Sequence, residues 1–287
     1  GECRVKNSYA CFVGFVSMLL VSALPAAAAP LVFSTMPDPV PSNVDSLGYQ
    51  ATQTARFGDY VDLAGSESTY SLDSLTVLMS NWALESTYEP LGTSAGFTVP
   101  LTVEFYNTDN AGDVGSLFYA QTIDALIPWR PEASASCAGG AYQASDGLCY
   151  NGLSTQVSFD LGGLVAPGVF ISAISYDTQT WGDNPTGVSG PVNSLNVGLS
   201  TAPPSVGSDP FPDAVVWQTA TANNYADSGA GGVNTFRQDT NWSPYSPAIS
   251  IAEMSPAPVP EPATLTLLGT GLLGFAGRLR KRLRRPA

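Results

Sequence analysis

FTVPLTVEFY, residues 97–106, is the stretch that decides the fold. Every second position from Phe97 to Phe105 holds Phe, Val or Leu, with Thr, Pro and Glu between them and Tyr106 after them. Successive side chains of a β-strand point to opposite faces of a sheet, so a period of two indicates a strand with one buried face. The stretch therefore predicts a half-buried strand.

The same alternation recurs more briefly along the chain. It is seen at residues 75–79, 117–119, 157–161, 170–176, 195–199, 215–217 and 249–251. Turn-forming residues separate these segments, at 109–112, 162–163, 183–185, 208–210 and 229–232. No helical period of apolar residues lasts three turns in this part of the chain. The pattern predicts an all-β, jelly-roll-like β-sandwich of eight to ten strands, with Trp217 in its core.

The C-terminal segment has a different character. Residues 259–287 read VPEPATLTLLGTGLLGFAGRLRKRLRRPA. Pro260, Glu261 and Pro262 predict an extended, exposed element, because proline fixes φ and restricts the residue before it. Residues 263–277 carry no charge and predict a short transmembrane helix. A basic cytoplasmic tail, residues 278–287, then supplies the membrane stop: Arg278, Arg280, Lys281, Arg282, Arg284 and Arg285.

This three-part tail resembles the PEP-CTERM sorting signal of exported bacterial proteins. The resemblance implies that an exosortase-type membrane protease recognises Pro260, Glu261 and Pro262. The protein would be anchored transiently in the inner membrane, then released or passed to the cell surface. An ordinary C-terminal anchor is the alternative, but about 14 apolar residues give only ~21 Å of helix, short of a ~30 Å bilayer core.

The N-terminal segment predicts a secretory signal peptide over residues 1–28. Arg4 and Lys6 precede an apolar run, residues 10–24, and small residues follow it for cleavage after Ala28. This order implies the Sec machinery and signal peptidase as partners. An uncleaved N-terminal helix fits less well, because the run is short and ends in a proline.

Between the two targeting segments the chain is strongly acidic. Of the 24 acids, all but Glu2 and Glu261 lie there, against three cations, so the net charge is 3 − 22 = −19. Such a surface repels nucleic acid, whose binding depends on cations that neutralise phosphates. We expect one acidic β-sandwich domain over residues 29–253 and a proline-rich linker over residues 254–262, with no nucleic-acid partner.

Two cysteines, Cys137 and Cys149, remain after processing. An even pair in an exported chain predicts a disulfide. A thiol-based site is the weaker alternative, because the chain has no histidine to act as a base.

The absence of histidine also removes the usual Ser-His and Cys-His nucleophiles. We therefore expect a protein that is not an enzyme. A carboxylate-dependent glycosidase is the remaining catalytic alternative, since it needs only two acids at the right separation. Glu85, Glu89, Glu104 and Asp124 are available, but their spacing singles out no pair.

No cofactor is expected, with calcium as a weak alternative at Asp109 and Asp113. Residues 107–113, NTDNAGD, place several oxygen donors around a glycine. The segment lacks the spacing of an EF-hand loop, and the turn preferences of Asn, Asp and Gly explain it fully.

Tryptophans provide the best candidates for binding. Trp129, Trp181 and Trp242 lie beside proline or polar turn residues, where aromatic platforms for glycans are found on jelly-roll sandwiches. Packing in the core or as a loop plug is the alternative for each of them, because one indole removes a large apolar area from water.

The body of the chain also resembles a group of uncharacterised secreted bacterial proteins. The similarity lies in short sequence segments such as FGDYV at 57–61, IPWRP at 127–131 and GLCYNG at 147–152. It brings no activity with it. The sequence thus predicts an exported structural or adhesive protein of the cell surface or extracellular polysaccharide, with a carbohydrate-binding module as the alternative.

Overall fold

A computed structural model describes residues 29–109 and 111–255, and strands dominate this part of the chain. The strands are β1 (Leu31–Ser34), β2 (Ser46–Gly48), β3 (Thr54–Asp62), β4 (Thr69–Asn81), β5 (Phe97–Thr108), β6 (Val114–Ile127), β7 (Tyr142–Gln143), β8 (Cys149–Tyr150), β9 (Leu153–Pro167), β10 (Val169–Ser175), β11 (Leu195–Ser200), β12 (Ala214–Thr219), β13 (Arg237–Thr240), β14 (Ser246–Pro247) and β15 (Ile249–Glu253). Two one-turn helices, α1 (Tyr49–Thr52) and α2 (Glu85–Tyr88), and three 3₁₀ turns, Glu89–Leu91, Pro191–Ser194 and Ala222–Asn224, complete it. The predicted all-β class is confirmed.

The strands form two large antiparallel sheets. In the first, β4 pairs along its whole length with β9 on one edge, and with β15 and then β11 on the other. Strand β1 pairs with β15, and both β2 and β14 pair with β11. The second sheet has the order β13-β12-β3-β10-β5-β6. The chain crosses repeatedly between these sheets, as a sandwich requires, and β7 and β8 form a separate small hairpin.

The core lies between the facing sides of the two sheets. Phe97, Val99, Leu101, Val103 and Phe105 are all buried in it, as the alternation predicts. All seven shorter alternating segments also fall within strands, allowing for Tyr176, which directly follows β10. Trp217 is 3% exposed, so its predicted place in the core is confirmed.

A second, smaller apolar cluster covers the outer face of the second sheet. Tyr60, Ile171, Ala214 and Val216 form it, and loop residues such as Phe211 pack over them. The covering explains why β3 is buried along almost its whole length, on both faces of the sheet. A strand buried on both faces shows no simple alternation.

Residues 162–163 correct the sequence interpretation. They were expected to form a turn between strands, but both glycines lie inside the single long strand β9. Gly162 and Gly163 have φ values of 60° and 81°, opposite a register shift between Leu72 and Ser74 of β4. Glycine adopts such angles without steric cost, and here the pair forms a β-bulge rather than a chain reversal.

Both ends of the described chain lie at one end of the first sheet. The backbone N–H of Glu253 donates to the carbonyl of Pro30 (2.9 Å), and that of Met254 donates to Ser71 (2.8 Å). The predicted linker therefore leaves the sheet beside the start of the domain. The signal peptide and the transmembrane helix predicted at 263–277 lie outside the described residues; within 29–109 and 111–255, no helix is long and apolar enough to span a membrane.

Candidate functional site

The turn at residues 242–245 builds an aromatic site on the surface. The N–H of Tyr245 donates to the carbonyl of Trp242 (2.7 Å), and this bond closes the turn. Both aromatic side chains line one depression of about 430 Å³, together with Asn224 and Asn241. Tyr245 is 40% exposed. The site therefore combines aromatic surface with the amide of Asn241 and the amide oxygen of Asn224, whose Nδ2 donates to Thr52 and Thr219 within the domain.

The indole of Trp242 is held in place from two sides. Its Nε1–H donates to Oδ2 of Asp239 (2.7 Å), while Oδ1 of the same carboxylate accepts the N–H of Ala226 (2.8 Å). The ring packs edge-on against Trp217 at 5.1 Å and is tilted against Phe57 at 5.3 Å between centroids. Because Asp239 is only 3% exposed, this contact is shielded from solvent, and the indole is fixed before any ligand arrives.

Trp129 packs as a plug. It is 9% exposed, its Nε1–H donates to the carbonyl of Thr93 (2.7 Å), and its ring lies 5.1 Å from that of Phe97. It still borders a depression of about 300 Å³. Glu85, Glu132 and Arg130 line the same depression.

Trp181 lies in a third place, half-buried in a loop of the acidic surface. Its carbonyl accepts the N–H of Thr178 (2.8 Å), and its own N–H donates to the Thr178 hydroxyl (3.1 Å). The three predicted platform residues thus have separate neighbours, and no aromatic contact joins any two of them among the described residues. A glycan role for Trp129, Trp181 and Trp242 stays a prediction, which the geometry favours most at Trp242.

Sequence reasoning missed two exposed aromatic residues. Tyr245 was overlooked, although it stands three positions after Trp242 and beside a proline. Trp82 is 44% exposed, with its Nε1–H bound to the Ser80 hydroxyl (3.0 Å). Its position directly after the alternating residues of β4 was the available signal, because a strand end can release a side chain into solvent.

Asp109 organises its own turn. Its Oδ1 accepts the N–H groups of Ala111 (2.9 Å) and Asp113 (3.1 Å), and the hydroxyl of Thr108 donates to the carbonyl of Asp113 (3.1 Å). In the part of the chain that the structure describes, no three His, Cys, Asp or Glu side chains gather as metal ligands. Calcium at Asp109 and Asp113 remains an untested prediction.

The disulfide between Cys137 and Cys149 is present, with 5.7 Å between the Cα atoms. It ties the loop after β6 to the short β7–β8 hairpin. Next to it, the hydroxyl of Tyr150 donates to Oδ2 of Asp146 (2.9 Å). The disulfide predicted from the sequence is therefore confirmed.

Comparison with known proteins identifies the tail. The family of the PEP-CTERM protein-sorting motif matches residues 258–281, which include Pro260, Glu261 and Pro262. No curated protein and no solved structure matches the chain. The predicted sorting motif is confirmed, although its residues and the basic stop from Arg278 to Arg285 lie outside the described structure. The motif implies export, transient membrane anchoring and processing by an exosortase.

Proposed function

We propose that this protein has a structural or adhesive role at the cell surface or in the extracellular polysaccharide matrix. The sorting motif at residues 258–281 is the observation that carries the proposal, because it specifies a route out of the cell. The body fits that destination. Its charge of −19 between Ala29 and Pro260 disfavours adhesion to anionic lipid, so the domain leaves the membrane once the tail is cut.

The short distance along the chain between fold and motif supports this route. The last backbone hydrogen bond described for the domain is donated by Met254, and Pro260 follows six positions later. Residues 255–259 include two prolines, which favour an extended connection. A protease in the membrane would therefore find the motif just outside the folded body.

Sorting is tested with Glu261→Gln and Pro262→Ala in a host that has its exosortase. We expect the unaltered protein to lose its tail and the two variants to retain it in the membrane fraction, as measured by mass spectrometry of the mature C-terminus. Glu253→Gln, an acid within β15, is the matched control and should be processed normally. An unaltered protein that keeps its C-terminus through Ala287 contradicts the proposal.

The adhesive role has its own test. Cells that lack the protein should form less surface-attached material than cells that carry it, and the Pro262→Ala variant should not restore attachment. If the unaltered protein is processed as expected but all three strains attach equally, the adhesive role is contradicted and the sorting route stands.

A carbohydrate-binding module is the second candidate function. The observation that favours it is the depression lined by Trp242, Tyr245, Asn224 and Asn241, which offers a fixed aromatic ring beside amide groups. Glycan-array binding that is lost in Tyr245→Ala and retained in Trp181→Ala would support it. Tyr245 is the better position for substitution, because its side chain is 40% exposed and Trp242 also packs against the core.

A further inference from the structure

Three depressions lie side by side in the surface of the domain, and Tyr245 lines two of them. The first, of about 590 Å³, lies between residues 35–45 and residues 199–205. The second, of about 340 Å³, shares Thr201, Ala202 and Pro203 with the first. The third is the Trp242 depression of about 430 Å³, which shares Ser243 and Tyr245 with the second. Each volume is within the roughly 300–1,000 Å³ of small-ligand sites, and the shared lining residues make the three depressions neighbours in one row.

The row has an aromatic ring at each end and one between. Tyr150 borders the first depression, Tyr245 borders the second and third, and Trp242 borders the third. Polar side chains line all three depressions, among them Asn43, Ser205, Ser208, Ser243 and Asn241. Aromatic faces accept the apolar C–H faces of sugar rings, and hydroxyl and amide groups bond to their rims.

The charges along the row have one sign. Asp38 and Asp45 line the first depression, Asp209 lines the second and Asp239 lines the third, and none of the three has a lining Lys or Arg. The three cations of the body are bound elsewhere. Arg56 pairs with Glu104, Arg237 pairs with Asp227, and Arg130 donates to backbone carbonyls. A sugar that carries a carboxylate or sulfate would meet only like charge here.

We propose that the three depressions form one extended binding groove for a neutral polysaccharide chain, with several sugar rings bound at once. This proposal rests on the carbohydrate-binding candidate above and adds the class and length of the ligand. The row of shared walls favours a chain over a single sugar, and the acidic lining favours a neutral chain over a uronate or sulfated one.

Two of the aromatic rings are held in place without a ligand. Trp242 is fixed by Asp239, and Tyr150 is fixed by its hydrogen bond to Asp146 beside the disulfide. Binding therefore orders few side chains, which lowers its entropic cost. The disulfide hairpin thus contributes to one end of the groove.

The first depression and the last described hydrogen bonds of the domain lie at opposite ends of β15. At the start of β15, the N–H of Thr35, which lines the first depression, donates to the carbonyl of Ile249 (2.9 Å). At the other end of the same strand, Glu253 bonds to Pro30 and the linker begins. Four residues of strand separate these points by about 13 Å.

The test uses the mature, exported protein in affinity gels at 150 mM salt. The gels contain hydroxyethylcellulose, galactomannan or amylose as neutral probes, and alginate or polygalacturonate as anionic probes. We expect retardation by at least one neutral polymer and by neither anionic polymer. Calorimetry with the monosaccharide, trisaccharide and hexasaccharide of the retarding polymer should then show affinity rising about tenfold or more with length.

Variants examine one end and the middle of the groove. Tyr150→Ala and Tyr245→Ala should each weaken hexasaccharide binding by about fivefold or more, while Tyr150→Phe, which keeps the ring, should bind better than Tyr150→Ala. Trp82→Ala, an exposed aromatic that lines none of the three depressions, is the control and should bind normally. Melting temperatures of all four variants show whether each is folded.

The outcomes distinguish failure of the extended groove from failure of carbohydrate binding itself. Equal affinity for monosaccharide and hexasaccharide, or an effect of Tyr245→Ala alone, would overturn the extended groove while carbohydrate binding stands. Equal retardation by alginate would overturn the neutral class. No retardation by any of the five polymers would overturn the carbohydrate-binding candidate together with the groove.

Discussion

The guanidinium of Arg56 donates to both carboxylate oxygens of Glu104, at 2.8 and 3.3 Å, on the outer face of the second sheet. Only 15% of the Arg56 side chain and 9% of the Glu104 side chain are exposed. The same guanidinium also donates to Gln218 (2.7 Å) and to Asp183 (2.6 Å), whose side chain is 52% exposed. One cation of the acidic body is therefore held by a buried carboxylate on one side and a solvated one on the other.

Because Glu104 is buried and Asp183 is exposed, we expect removal of the Glu104 carboxylate to destabilise the fold more than removal of the Asp183 carboxylate. Glu104→Ala should lower the free energy of unfolding by about 3 kcal/mol, because it leaves the Arg56 charge poorly compensated in a mostly buried site. Asp183→Ala removes a solvent-screened partner and should cost less than about 1 kcal/mol. Urea denaturation at neutral pH measures both. Equal losses in the two variants would show that burial does not decide the strength of this network.

The disulfide should stabilise its own loop more than the sandwich. Strands β7 and β8 pair through only two residues each, and most residues of the loop between Cys137 and Cys149 are exposed. We expect reduction to speed amide exchange and proteolysis between the two cysteines while β4 and β9 stay protected. Hydrogen-exchange mass spectrometry checks this, with Cys137→Ser/Cys149→Ser as the variant that mimics reduction. Loss of protection in β4 at the same rate would contradict it.

The fold was predictable wherever one face of a strand is buried. Every second side chain from Phe97 to Phe105 lies on the inner face, so the alternation is visible in the sequence, and β5 was predicted almost to its ends. Strand β3 was missed because the loops over the outer face bury its second side as well. The prediction of a turn at Gly162 and Gly163 was wrong. A pair of glycines with positive φ can form either a turn or a β-bulge, and only pairing with β4 shows which of the two is present.

The candidate site was predictable only as residue types. The sequence pointed to Trp242 through its polar and proline neighbours, and the same reasoning pointed to Trp129. What separates them is tertiary: Trp129 bonds to Thr93, 36 positions away, whereas Trp242 stays on a surface turn beside Tyr245. The groove joins Tyr150 with residues from 35–45, 199–212 and 224–246, and nothing in their local sequence shows that they meet.

Asp59 is a carboxyl group of the inner face, between Phe57 and Val61 of the core. Burial raises the pKa of Asp59 well above its ordinary value, and the charge of Asp209 adds to the rise, while the N–H of Tyr60 opposes it. Its neighbour across the ladder is Ser172, whose hydroxyl has no hydrogen-bond partner among the described residues. The site therefore favours the neutral acid.

A raised pKa makes this group destabilising at neutral pH. The unfolded chain releases the proton near pH 3.9, whereas the folded protein holds it to a higher pH, so the folded state binds more protons between these two values and stability falls as the pH rises. Asp59→Asn keeps an oxygen that can accept the Tyr60 N–H and carries no charge. We expect this variant to be more stable than the unaltered protein at pH 7 and equally stable below about pH 3.9.

Urea denaturation of the Asp59→Asn variant and the unaltered protein from pH 3 to pH 8 measures the difference between their free energies of unfolding. Asp124→Asn, an exposed acid on β6, is the matched control and should change the free energy of unfolding by less than about 0.5 kcal/mol across the range. If Asp59→Asn changes the free energy of unfolding by the same amount at pH 3 and pH 7, the change comes from packing and not from titration of Asp59. A variant that is less stable at pH 7 would show that the buried carboxylate has a partner that compensates its charge.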